Sequence, residues 1–401
     1  MMIDSEEALR IILENRIDFG TEPVPLSDAI GRILAEDLLA DRPLPPFDRV
    51  CMDGIAIPHD SFANGQRHFE VEKIGAAGQP QQTLNDSSKC IEVMTGAVLP
   101  KGTDTVIRYE DLKPKDEGFE VMIQAKPKAN IHFQGEDLAK GGLLIPKGQR
   151  IKAIDINLLA SVGKDEVEVK RLPKVAVISS GDELVEVNEV PEAHQIRRSN
   201  VHMILARLKE LGIRGQDFHI TDDREDIAAT FERISADFDV LMMSGGVSKG
   251  AFDFIPAVLD ELGFIKLFHG VQQRPGKPIW TGRKGNAMVF AFPGNPVSTL
   301  ACFHQYVMPW LNACMGHDTE HRMKVQLRNE VLFKPDLTYF AQAKISFNEE
   351  GTCEAEVIHG HGSGDLKNPS SMDGFIVLPR GKETYSAGEV YDFIPFYPLF
   401  P

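Results

Sequence analysis

The chain has 401 residues, 42% hydrophobic and 25% charged, the make-up of an ordinary globular protein with room for roughly two to four domains and a sizeable core. A net charge of −16 without any Lys/Arg-rich tract argues against nucleic acid as a partner, and no apolar run is long enough to span a membrane. The five cysteines form no C-x-x-C, so neither a zinc site nor a disulfide framework is expected; with an acidic N-terminus lacking an apolar signal core, a cytoplasmic setting follows.

In chain order, 5–15 reads as a helix that Ser5 could cap, with Ala8, Leu9, Ile12 and Leu13 on its apolar side. A second helix is expected over about 26–35. The prolines of 41–48 then break regular structure. From Met52-Asp53-Gly54 to Asn130, short apolar runs separated by Gly, Pro and Asn predict a small inserted β domain or barrel. On local sequence, Asp53 closes a turn and Thr95 does the same after Met94. A helix over 154–162 and a strand over 167–169 return to pack with the first two helices.

From 173 onward, strand-helix alternation predicts a parallel sheet with helices on both faces. Val175 to Ile178 form its first strand. Asp182 and Glu183 follow in the exit loop, either as solvated turn residues or as ligands of a cation. Arg198 is read as a surface residue, and Ser199 or Asn200 as the cap of a helix over 201–211. Asp226 is read as the cap of a helix over 227–236, with Asp223 as a capping or turn partner of Asp222.

The apolar run 239–243 leads into Ser244-Gly245-Gly246-Val247-Ser248-Lys249-Gly250, and a helix over 252–262 follows. A glycine-rich loop from a strand's carboxyl end into a helix N-terminus suits an anion. Arg274-Pro275-Gly276-Lys277-Pro278 adds two cations on a stiff frame. Pro293-Gly294-Asn295-Pro296-Val297-Ser298 follows another apolar run and precedes a helix over 299–315. Three polar loops at strand ends indicate a ligand crevice. None matches the common nucleotide-binding glycine motifs. After 324, alternating runs predict a small all-β C-terminal domain, and His359-Gly360-His361-Gly362-Ser363-Gly364 reads as a glycine-rich turn rather than a metal site.

Ser244-Gly-Gly-Val-Ser248, Asp253, Pro275-Gly-Lys-Pro278 and Pro293-Gly-Asn-Pro-Val-Ser298, in this order, resemble the molybdopterin molybdenumtransferase family, the MoeA type also found as the E domain of gephyrin. Met52-Asp53-Gly54, Met94-Thr95-Gly96-Ala97 and Gly181-Asp182-Glu183-Leu184 match further motifs. The resemblance implies four parts: a discontinuous N-terminal domain (1–40 and 135–171), an inserted β domain (41–134), an α/β molybdopterin-binding domain (172–322) and a C-terminal β-barrel (323–401). It implies catalytic roles for Asp53, Thr95, Glu183, Asp222, Asp253 and Lys277. Glu183, Asp222 and Asp253 would hold Mg²⁺. Ligand contacts would come from Ser244, Gly245, Gly246, Ser248, Arg274, Pro275, Gly276, Pro293, Gly294, Asn295, Pro296 and Ser298, with Asp137 and Lys249 as weaker candidates.

The implied reaction inserts molybdenum from molybdate into adenylated molybdopterin, with Mg²⁺-dependent release of AMP. It would occur in a homodimer whose active site is shared between subunits, with the molybdopterin adenylyltransferase as upstream partner. His132 and the Phe268-His269-Gly270-Val271 stretch stand where the family often carries basic residues, which opens tungstate as an alternative oxyanion. A non-catalytic scaffold of the gephyrin type and an adenylyltransferase are the rival readings.

Overall fold

The computed structural model describes residues 2–221, 223–247, 255–316, 322–360, 362–364 and 367–397. The helix Ser5–Glu14 forms as expected, but its cap is Asp4, whose carboxylate accepts from the Glu6 amide; Ser5 is buried and donates to Thr338 instead. The expected second helix is only the 3-10 turn Leu26–Asp28. Gly31 turns the chain with φ of 77°, and Ile33 and Leu34 are drawn into bridges with Arg150 and Val169. Tertiary pairing overrides the local helical preference there.

Thr21–Pro25 runs antiparallel to Glu166–Lys170, and Leu38–Leu39 pairs with Leu143–Ile145. These pairings join the two ends of the N-terminal half around the core of Leu34, Leu38, Ile151, Leu159 and Val167. The first helix does not join them. Ala8 and Ile12 pack into the α/β core with Tyr306 and Trp310, correcting the expected packing.

Between these strands lies a six-stranded sheet in the order Thr105–Arg108, Gly54–Ile57, Lys89–Val93, His68–Gly75, Gly118–Val121, Leu112–Lys115. Alternation along one strand serves two cores. Ile55 and Ile57 meet Phe62 and Phe69 on one face, while Ala56 meets Ile91 and Val106 on the other.

The α/β sheet has the order Gly215–Ile220, Val175–Ser180, Val240–Ser244, Ala287–Phe292, Trp280–Lys284, Ile265–His269. The first four strands are mutually parallel, and Trp280–Lys284 runs antiparallel to both its neighbours, Ala287–Phe292 and Ile265–His269, so the sheet is mixed rather than wholly parallel. A glycine turn at Gly285 links Trp280–Lys284 to Ala287–Phe292 and leaves no room for a crossover helix. Val177 and Met242 face one helical layer, and Ile178 and Met243 the other, which explains their continuous hydrophobicity.

The helix expected over 299–315 is three pieces: Pro296–Cys302, a π-helical turn Phe303–Val307, and Met308–Cys314. Pro309 lacks the N–H that a continuous α-helix would use. In the C-terminal part, Thr338–Phe347, Cys353–Val357, Met323–Leu327, Val390–Pro395 and Gly374–Leu378 close a five-stranded barrel, because the first and last also pair with each other. No helix among the described residues is long and apolar enough to cross a membrane.

Candidate functional site

A crevice of about 870 Å³ opens at the carboxyl ends of the parallel strands. Ser180, Gly181 and Glu183 line it after one strand, Gly245, Gly246 and Val247 after the next, and Pro293, Gly294, Asn295, Val297 and Ser298 after the third. The loop from Arg274 to Pro278 forms a further side. Strand carboxyl ends are where open α/β sheets place ligands, because the loops there diverge. Gly245 shows why side chains are excluded. Its φ is +106°, and a Cβ would lie 2.7 Å from the Ser180 carbonyl.

The opposite wall comes from the barrel: Leu337, Tyr339, Phe340 and Gln342, with Gly360, Gly362 and Ser363 of the glycine-rich turn. Sequence reasoning missed this wall, although the turn itself was visible. Gln273–Arg274 pairs in parallel with Thr338–Tyr339, so the cationic loop is tied to the barrel sheet. Asn295 donates to Ser363 Oγ at 2.8 Å, and the Val297 amide to the Ser363 carbonyl at 3.1 Å.

Arg274 and Lys277 are exposed and make no ion pair among the described residues, so their charge is available to an anion. The Arg274 guanidinium lies 6.0 Å from the Phe333 ring centroid, and Phe333 stacks on Tyr339 at 4.2 Å. Burial pushes the Tyr339 phenol up, with Arg274 opposing that shift. Tyr339 therefore enters the crevice as a neutral hydroxyl.

Asn200, expected only as a possible helix cap, has a different task. Its amide donates to Ser244 Oγ at 2.9 Å and to the Gly294 carbonyl at 2.7 Å, bracing two crevice loops together. Ser199 occupies the cap position without a side-chain bond. Asp223 caps Arg224–Ile234, whereas Asp226 accepts from the Thr221 amide and hydroxyl; the expected Asp226 cap is corrected. Arg198 is also corrected. It is 4% exposed and donates to Glu186, Asp217 and Ser179 Oγ. Glu186 comes from the chain between Val175–Ser180 and Asn200–Glu210, while Ser179 and Asp217 come from two adjacent strands of the sheet.

Ser244 is buried behind the crevice, and Pro296 opens the helix behind its rim. Asp222, Ser248, Lys249 and Asp253 lie outside the described residues. Asp53 and Thr95 sit together in the inserted β domain and do not line the crevice of their own chain. The Thr95 amide and hydroxyl donate to Asp53 Oδ1 at 2.6 and 2.7 Å, and these bonds hold its carboxyl below its ordinary range. His132 lies between Arg49, at 3.0 Å, and Asp137, at 2.9 Å. His269 faces the Val247 carbonyl at 3.3 Å. Among the described residues no three His, Cys, Asp or Glu side chains gather as a metal set, and Glu183 is the one candidate magnesium ligand described.

A mixed α/β sheet whose strand-end loops present exposed cations, walled by a β-barrel and preceded by a split N-terminal half, defines a multidomain protein with a site suited to an anionic ligand. The model of the MoeA N-terminal region (domain I and II) matches residues 3–163. That of a probable molybdopterin binding domain matches 176–313, and that of the MoeA C-terminal region (domain IV) matches 324–396. A molybdopterin molybdenumtransferase of Synechocystis sp. is 36% identical over 401 residues, covering 99% of this chain and 100% of the relative. One from Haemophilus influenzae is 33% identical over 386 residues, covering 94% of each. A crystal structure of the molybdopterin biosynthesis MoeA protein from Pyrococcus horikosii superposes with a TM-score of 0.86 at 30% identity, covering 99% of this chain and 100% of that one. The chain belongs to the molybdopterin molybdenumtransferase family.

Proposed function

We propose that the chain is a transferase of molybdenum cofactor biosynthesis that takes adenylated molybdopterin and molybdate, inserts the metal into the dithiolene, and releases AMP. The observation that carries this reading is the crevice itself. Two exposed cations without an ion partner among the described residues, Arg274 and Lys277, share it with Glu183 and close-approach glycine loops, in a chain of this family. Arg274 can grip an oxyanion through two parallel N–H donors, and Lys277 acts as a point charge. Fixed positive charge of this kind stabilises the phosphoryl oxygens as the nucleotide linkage breaks.

Glu183, Asp222 and Asp253 would hold a magnesium ion, which when bound draws charge from phosphoryl oxygens. Glu183 fits such a role, since its carboxylate packs against the Gly181 turn at the crevice edge. A homodimer with a shared site accounts for Asp53 and Thr95, which lie away from the crevice of their own chain. The four-part division and the cytoplasmic setting belong to the same reading, as does supply of the adenylated substrate by an adenylyltransferase.

The test is reconstitution. Purified protein with adenylated molybdopterin, Mg²⁺ and molybdate should release AMP and form active cofactor, with tungstate assayed in parallel. Lys277→Ala should lower the rate by about a hundredfold, and Asp253→Ala should abolish cofactor formation while folding normally. Absence of AMP release from the wild type would overturn the assignment and favour the gephyrin-type scaffold.

A further inference from the structure

Gln273 immediately precedes the two cations, yet it is fully buried. Its Oε1 accepts from the Tyr306 hydroxyl, and its Nε2 donates to the Pro275 carbonyl at 3.0 Å. Cys302 Sγ reaches the Gly276 carbonyl at 3.7 Å and lies 3.7 Å from Gln273 Nε2. Two successive carbonyls of the cationic loop are therefore held from behind. The holders are Gln273 itself and the helical run that begins at the Pro293-Gly294 loop. Tyr306, also fully buried, lies in the π-helical turn Phe303–Val307. Such turns re-aim side chains relative to a regular helix and recur at functional sites.

A buried amide and a buried phenol are costly where packing alone is needed, because each must be fully bonded. Methionine and phenylalanine would fill the same volume without that demand. Here the polar atoms end on the backbone of the loop that carries Arg274 and Lys277. Backbone bonds also close the loop: the Val271 amide donates to the Lys277 carbonyl at 2.8 Å, and the Ile279 amide donates at 3.2 Å to the Gly276 carbonyl, which it shares with Cys302. Burial holds the Tyr306 hydroxyl protonated, which keeps it a donor.

We propose that Gln273 and Tyr306 are positioning residues that set the Arg274–Lys277 loop for gripping an oxyanion, either molybdate or the pyrophosphate of the adenylated substrate. This rests on the reading that the loop binds an anion, and not on turnover. The network couples that loop to the Pro293-Gly294 loop through the helical run of Pro296–Cys302 and Phe303–Val307, so two walls of the crevice are set together.

The test uses the full-length protein, Gln273→Met and Tyr306→Phe, with molybdate and inorganic pyrophosphate as separate probes. Hydrogen exchange of the amides over 271–279 should accelerate about tenfold in each variant, while strands Val240–Ser244 and Ala287–Phe292 keep wild-type protection. Binding of at least one probe should weaken about tenfold, and the double variant should lose little more than the worse single one, since one network is removed twice. Tyr306→Phe keeps the volume and serves if Gln273→Met does not fold. Faster exchange with unchanged binding of both probes would assign the pair a purely structural role and overturn the inference. So would a wild type that binds neither probe at millimolar concentration. A wild type that binds the probes but releases no AMP would instead remove the proposed reaction and leave this inference standing.

Discussion

His304 offers a quantitative test of how the helical layer is held. It is 3% exposed, sits 4.9 Å from the Phe396 ring, and its Nε2 has no hydrogen-bond partner among the described residues. Burial, aided by Arg207, pushes its protonation down from 6.5 to about 3. The unfolded chain therefore binds one more proton than the folded one between pH 6.5 and about 3. Stability is whole above the unfolded value and falls by ~1.4 kcal/mol for each pH unit below it, until the folded value is reached. Between pH 7.5 and 5.0 the loss from this single group should be about 2 kcal/mol.

The perturbation is His304→Leu, which removes the titrating ring at similar volume. The assay is urea unfolding followed by tryptophan fluorescence at the two pH values. The chain has two tryptophans, and both Trp280 and Trp310 lie in the α/β part, so the signal reports the right region. The variant should lose about 2 kcal/mol less than the wild type on acidification. Equal losses, or a folded-state imidazole that titrates near 6.5 by NMR, would refute the reasoning.

Arg198→Leu should cost about 1–3 kcal/mol by denaturant titration, less than a fully buried pair, because Glu186 and Asp217 are partly exposed and can rehydrate; a change below ~0.5 kcal/mol would contradict the buried anchor. Gly276→Ala should destabilise by about 2 kcal/mol or more, since its φ is +84° and a Cβ would lie 2.4 Å from Cys302 Sγ. Adding Cys302→Ala should restore part of that loss, and no recovery in thermal melts would remove the steric explanation. Gln342 Oε1 is buried beside the crevice without a partner among the described residues, so Gln342→Leu should leave the melting temperature level or higher while weakening substrate affinity. A marked fall in melting temperature would show that the amide is bonded in solution.

Much of the crevice could be read from the chain because its loops are local. Pro275-Gly276-Lys277-Pro278 and Pro293-Gly294-Asn295-Pro296 announce themselves in a few consecutive residues, each next to an apolar strand. Their supports are not local. Gln273 meets Tyr306 thirty-three positions on, and Asn200 meets Gly294 ninety-four positions on. A lone Gln or Asn carries no signal of such a partner. The burial of Arg198 is illegible for the same reason, since its flanking sequence is polar and its acceptors Glu186 and Asp217 lie twelve and nineteen positions away. The missing helix at 26–35 fails differently. Its composition permits a helix, but Ile33 and Leu34 gain more by pairing with returning segments than a short isolated helix would give.

The pairing of Gln273–Arg274 with Thr338–Tyr339 bears on how this protein could be cut and recombined. The C-terminal barrel is not an independent cassette, because a short strand that reads as part of the α/β unit adds to its sheet beside Thr338–Phe347. A chimera that swaps the barrel alone would leave the arginine-bearing segment with a mismatched seam, and any hinge between the two bodies would drag that segment along.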